Sequence, residues 1–149
     1  MAAAVLSFAT LAVVQTVAAG ARQTADSLRA VRAMELCSAL MEEIVSLSYF
    51  DDAGAITAGP DTGETTRARY DNSDDFHGFS ESANAVFDAN GTLYPAAYQV
   101  FRRTATASYT TFTSTGLGTS YDGLRVTVTV TDKTGQTWSL TRFIAEPSS

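Results

Sequence analysis

Leu124-Arg125-Val126-Thr127-Val128-Thr129-Val130-Thr131 alternates an aliphatic with a polar residue at every step. Successive side chains of an extended chain point to opposite faces, so this run reads as a half-buried strand. Leu124, Val126, Val128 and Val130 turn inward and the threonines outward. On its C-terminal side Asp132-Lys133-Thr134-Gly135 has the chemistry of a hairpin turn, and Thr137 to Ala145 returns as a second strand. That strand is expected to bury Trp138, Leu140 and one of Phe143 and Ile144. On the N-terminal side Gly116, Gly118 and Asp122-Gly123 mark a loop. Before it, Tyr98 to Phe112 is rich in β-branched and aromatic residues and reads as a further strand. The C-terminal half is therefore expected to be a small antiparallel sheet.

Further upstream the pattern changes. Asp88-Ala89-Asn90-Gly91 is a turn signal that could join a short strand at Ala85–Phe87 to Leu93–Tyr94. Asp51 to Tyr70, with Gly54, Gly59, Pro60 and Gly63, is loop-like. From Arg22 to about Tyr49 there is neither proline nor glycine, and good helix formers dominate. At 100° per residue Ala30, Ala33, Met34, Cys37, Leu40, Met41, Ile44, Val45 and Leu47 share one face, opposite Arg32, Glu35, Glu42 and Glu43. This amphipathic helix is suited to packing on the sheet, and Asp51, Asp52 and Gly54 are expected to end it. Cys37 lies in the apolar stripe, which suggests a packed thiol and not a reactive one. A helix followed by hairpin-linked strands is an α+β pattern.

Met1 to Ala21 carries no charge. As a helix it would span about 30 Å, the thickness of a bilayer's hydrocarbon core. Three readings apply: a membrane or fibre helix, a cleaved secretory signal, or a buried helix. Ala19-Gly20-Ala21 has the small residues a signal peptidase accepts, but no basic residue precedes Arg22. The membrane or fibre reading is preferred. It divides the chain into an apolar segment, 1–21, and a head, 22–149, that includes the amphipathic part of the helix.

Sixteen acidic against ten basic residues give a net charge of −6, which argues against nucleic acid as a partner. One cysteine excludes an intrachain disulfide, and one histidine makes a His/Cys zinc site improbable. No Ser-His-acid set, phosphate loop or metal-ligand spacing is present, so no enzyme, cofactor or small-molecule substrate is expected. Asp71, Asp74, Asp75 and Glu81 lie within one acidic, aromatic stretch and are weak Ca²⁺ candidates without EF-hand spacing. The simpler reading is an ordered surface loop pinned by Tyr70, Phe76 and Phe79, with His77 structural or facing solvent.

Several segments together resemble the type IV pilin and type II secretion pseudopilin superfamily, most of all the MSHA-type, MshD-like minor pilins. They are Thr24-Ala25-Asp26-Ser27-Leu28, Ala39-Leu40-Met41-Glu42-Glu43-Ile44, Phe50-Asp51-Asp52, Asp71 to Ser80, and Tyr98-Gln99-Val100. The resemblance covers about residues 20–145. It implies a structural, non-enzymatic subunit of a bacterial fibre, with Ala2 to Ala21 for membrane and fibre packing and Ala30 to Leu47 supporting the head. The expected partners are the inner membrane and other pilin or pseudopilin subunits. The expected location is the inner membrane with a periplasmic head, then the pilus or pseudopilus. The family's basic leader and its Gly-Phe-Thr-Leu-Ile-Glu motif do not occur in this sequence, and Arg22, Arg29 and Arg32 would favour the cytoplasmic side. Either a misassigned start or a truncated chain is therefore expected. The competing reading is a membrane-anchored or secreted extracytoplasmic binding domain, stabilised by Ca²⁺.

Overall fold

The computed structural model describes residues 2–49, 57–116 and 118–147, with side chains from Val14 onward. Helix α1 spans Ala2–Ser46. Four strands follow: β1 Ser80–Glu81, β2 Phe101–Ser114, β3 Thr119–Asp132 and β4 Thr137–Ala145. They form one antiparallel sheet in the order β1-β2-β3-β4. β2, β3 and β4 are sequential neighbours joined by short turns, a meander, residues 82–100 lead from β1 to β2, and the architecture is α+β. The chain comprises two compact units, Met1–Arg32 and Ala33–Ser149.

Within the second unit α1 buries Ala33, Leu36, Cys37, Leu40, Met41 and Ile44. These positions follow i, i+3, i+4, i+7, i+8 and i+11, the face of a 3.6-residue helix. They share a core with Phe101, Ala105 and Ala107 of β2 and with Leu124, Val126, Val128 and Val130 of β3. Each Leu or Ile so buried contributes on the order of 1.5–3 kcal/mol before entropy is counted. The buried stripe is rotated relative to the one read from sequence. Leu36 is inside, whereas Met34 is 38 % exposed. The rotation also carries Glu43 to the edge of the core, where it finds a cation.

The expected end of α1 at Asp51, Asp52 and Gly54 lies outside the described residues, as does the Phe50-Asp51-Asp52 segment. The helix closes earlier, at Ser46. Its last carbonyls have no intrahelical donor and need other partners. Ser73 supplies one, its Oγ donating to Ile44 O at 2.9 Å, and Ser46 Oγ donates to Glu43 O at 2.7 Å. The Ser73 N–H also bonds Ser48 O at 2.9 Å. Ser73, from the acidic stretch, therefore fastens that loop to the helix end.

In β3 the inward set is the aliphatic one, and its outer threonines pair with β4: Thr127 with Thr141 at 2.9 Å and Thr129 with Ser139 at 3.1 Å. In β4, Trp138, Leu140 and Ile144 pack against the core. Phe143 points the other way and meets Phe112, ring centroids 5.6 Å apart. At the β3–β4 turn Asp132 Oδ1 accepts from Thr134 N (2.8 Å), Thr134 Oγ1 (2.6 Å) and Gln136 N (3.0 Å). Gly135 there has φ +87°, a conformation that favours glycine.

Two expectations change. Asp122-Gly123 is not loop but part of β3. A Cβ on Gly123 would stand 2.6 Å from the Phe143 ring and collide with the Ile144 carbonyl. The glycine marks close approach of β4, not a break. Ala85–Phe87 and Leu93–Tyr94 form only one bridge, Phe87 to Leu93, around a turn in which Asp88 Oδ1 accepts from Asn90 N and Thr92 N.

Candidate functional site

The first surface to consider is the helix in the Met1–Arg32 unit. Of the apolar run Met1–Ala21, the side chains of residues 1–13 lie outside the described residues. Among the described residues no helix is long and apolar enough to cross a membrane. From Val14 on, the large apolar side chains Val14, Val17, Leu28 and Val31 are all exposed. With Ala21 and Thr24 they occupy positions 14, 17, 21, 24, 28 and 31, alternating steps of three and four. That seven-residue repeat is the seam a helix presents to other helices. Beside it, Arg29 bonds Asp26 at 3.4 Å, and Thr24 Oγ1 donates back to Gly20 O at 3.0 Å. The absence of charge over residues 1–21 does not by itself reveal this seam. The signal for it was present in the spacing of Val14, Val17, Leu28 and Val31.

The second feature is a chain of alternating charges. Arg67 Nε donates to Glu43 Oε1 at 2.7 Å and its Nη2 to Glu43 Oε2. Arg67 Nη1 donates to Glu81 Oε1 at 3.0 Å, and Arg103 Nε donates to Glu81 Oε2 at 2.7 Å. Arg67 and Arg103 also both bond the Phe87 carbonyl. Arg103 is 1 % exposed, on the inward face of β2. A charge this buried is tolerable only when paired and fully hydrogen-bonded. Two acids and two arginines achieve this while joining α1, the 3₁₀ turn Arg67–Arg69, β1 and β2. A cleft of about 360 Å³ opens beside them, lined by Glu43, Arg67, Phe79, Glu81, Phe87 and the 88–91 turn. Glu43, Arg67 and Glu81 are committed to one another, and Asp88 Oδ1 accepts the N–H groups of its own turn.

The third feature is the acidic stretch. Asp71 is exposed, Asp74 and Asp75 are buried, and Glu81 is half-buried in the charge chain. The structure does not group Glu81 with the aspartates. It groups Glu64, Asp71 and Asp75 instead, one carboxylate oxygen of each lying within 4.8 Å of the others. Burial, with Glu64 close by, pushes the Asp75 carboxyl up to about 6, against two backbone N–H bonds that oppose the shift. Phe76 is buried and meets Tyr70 and Phe79 at 5.0 and 5.4 Å, so the aromatic residues do pin this loop.

His77 is exposed, and its Nδ1 lies 2.6 Å from Ala107 O and 3.3 Å from Ala107 N, donating to the first in one tautomer and accepting from the second in the other. Cys37 is fully buried and its thiol donates to Trp138 O at 3.6 Å. Burial pushes that thiol up. The thiolate is the reactive form, so Cys37 is a packing residue. No protein family, curated protein or solved structure matches this chain.

Proposed function

We propose that this chain is a structural subunit of a type IV pilus-like fibre, of the minor pilin or pseudopilin kind, and not an enzyme. The observation that carries this reading is the contrast within α1: an exposed apolar seam from Val14 to Val31 and a buried one from Ala33 to Ile44. The buried stripe is satisfied by the head. The exposed one calls for an apolar environment outside the chain, because side chains at that spacing are stable in lipid or against other helices. In this reading the uncharged run holds the chain in the inner membrane with the head in the periplasm. The same helix then packs against neighbouring subunits when the fibre is built, through head-to-tail contacts that do not close.

One observation favours a second reading, an extracytoplasmic binding domain with a removable N-terminal segment. Among the described residues every core residue lies at or beyond Ala33.

The two readings separate in the bacterium that carries the gene. Sheared surface fibres, membranes and culture fluid are probed with an antibody to the head. For a fibre subunit, the full-length chain occurs in membranes and in sheared fibres, and Val17→Asp with Leu28→Asp removes it from the fibres. A soluble chain in the culture fluid that has lost residues 1–21 overturns the fibre reading in favour of the second.

A further inference from the structure

Two groups of buried or half-buried acids in this head are treated differently. Glu43 and Glu81 each face an arginine. Glu64 and Asp75 do not: among the described residues no ion pair reaches either one. Asp75 is 1 % exposed. Its Oδ2 accepts the N–H of Asp71 at 3.0 Å and of Asn72 at 3.1 Å. Its Oδ1 is buried and accepts no hydrogen bond. Glu64 accepts one bond, from Asp61 N at 2.9 Å. The Glu64 and Asp75 carboxyls also lie within hydrogen-bonding reach of each other, and a desolvated carboxylate set beside two more is destabilising unless a proton or a cation joins them.

We propose that Glu64, Asp71 and Asp75 hold a divalent, oxygen-seeking cation, Ca²⁺ in preference to Mg²⁺, which closes the 64–75 loop. Ca²⁺ takes oxygen ligands at about 2.3–2.6 Å, so two ligands on opposite sides of it stand about 4.6–5.2 Å apart. Three ligands spread evenly about the ion stand about 4.0–4.5 Å apart, so three oxygens within 4.8 Å of one another need only small side-chain adjustments to share one ion. Mg²⁺ holds ligands at about 2.0–2.1 Å in a strict octahedron and keeps its waters, which suits this spread less well. Asp75 is the rigid member, oriented by its two N–H bonds. Exposed Asp71 leaves room on the outer side for water to complete the shell. The bound ion joins Glu64, ahead of the Arg67–Arg69 turn, to the segment whose Ser73 holds the end of α1. It thereby fixes the loop from which Arg67 reaches Glu43. With three carboxylates and an open outer side, the expected Kd is about 10⁻⁴–10⁻³ M, the range of extracellular modules. The inference does not depend on the fibre reading.

The test uses the full chain stripped of metal with EDTA. CaCl₂ and MgCl₂ are titrated calorimetrically, and the Tm is read with and without each ion. Glu64→Gln and Asp71→Asn remove one charge each at positions that are not in the buried core, and circular dichroism without metal verifies their folds. The expected result is one Ca²⁺ per chain in that Kd range, an upward Tm shift, weaker Mg²⁺ binding, and at least tenfold weaker Ca²⁺ binding in each variant. No saturable binding up to about 10 mM, above the weak end of that range, overturns the proposal. So does binding that both variants retain, or Mg²⁺ binding as tight as Ca²⁺ binding.

Discussion

The two ends of α1 use the same residue types and meet opposite fates. Val14, Val17, Leu28 and Val31 are exposed, while Leu36, Leu40, Met41 and Ile44 are buried. Both sets recur at helical spacing, so periodicity alone does not tell them apart. The difference lies in what the chain supplies to cover them. Phe101, Ala105, Ala107 and the β3 aliphatics complete one stripe, and the core contains no residue from the other. The charged neighbours follow the same division. Glu43 is gripped by Arg67, and Glu35 accepts the Tyr98 hydroxyl at 2.6 Å. Asp26 and Arg29 form a solvent-exposed pair of the sort that adds little.

This contrast makes the two stripes separable by mutation, and the largest effect is expected at the buried one. Leu40→Ala removes a fully buried side chain from the core and should cost about 2–5 kcal/mol in chemical denaturation of the full chain. A loss below about 1 kcal/mol would mean that the core does not close around α1.

Next comes the polar grip on the same half. Among the described residues Glu43→Ala leaves Arg67 with Glu81 as its one acidic partner, and it should cost about 2 kcal/mol, measured the same way. The equivalent change in the exposed pair, Asp26→Ala, should cost no more than about 0.5 kcal/mol. Equal losses at the two sites would erase the distinction between the halves.

A smaller effect is expected where the buried half ends. Ser73→Ala deprives Ile44 O of its hydroxyl donor and should cost about 1 kcal/mol. Hydrogen exchange should then rise first in the last turn of α1, before β3 is affected.

Parts of this architecture were legible in the sequence because they follow strict periods. Leu124 to Val130 and the Asp132–Gly135 turn needed only alternation and turn chemistry. The helix stripe was legible as a stripe but not in rotation, since Met34 and Leu36 both sit near its edges and only the sheet decides which is covered. Gly123 was read as a break because a glycine's local signal is the same whether it bends the chain or admits a neighbouring strand. Arg103 was invisible as a core residue. A pattern that scores arginine as outward cannot see that Glu81 and the Phe87 carbonyl await it. Glu81, read with the aspartates as a weak cation ligand, is held by two arginines. Glu64 takes its place beside Asp71 and Asp75 from across a turn, a proximity with no signature in local sequence.

The smallest expected effect on stability is the most informative for function. Val17→Ala removes two methyl groups from a side chain 66 % exposed, so the fold loses nothing they were contributing. The midpoint and slope of unfolding should match the unmodified chain, the difference staying within about 0.5 kcal/mol. The seam then predicts a second readout in which the same change is not silent. If Val14, Val17, Leu28 and Val31 pack against other subunits, cutting Val17 back thins that contact, and Val17→Ala with Leu28→Ala should lower the chain's share of sheared fibres. Loss of stability without loss of incorporation would make the Val14–Val31 stripe part of the head's own fold. Loss of incorporation without loss of stability is what an outward-facing seam requires.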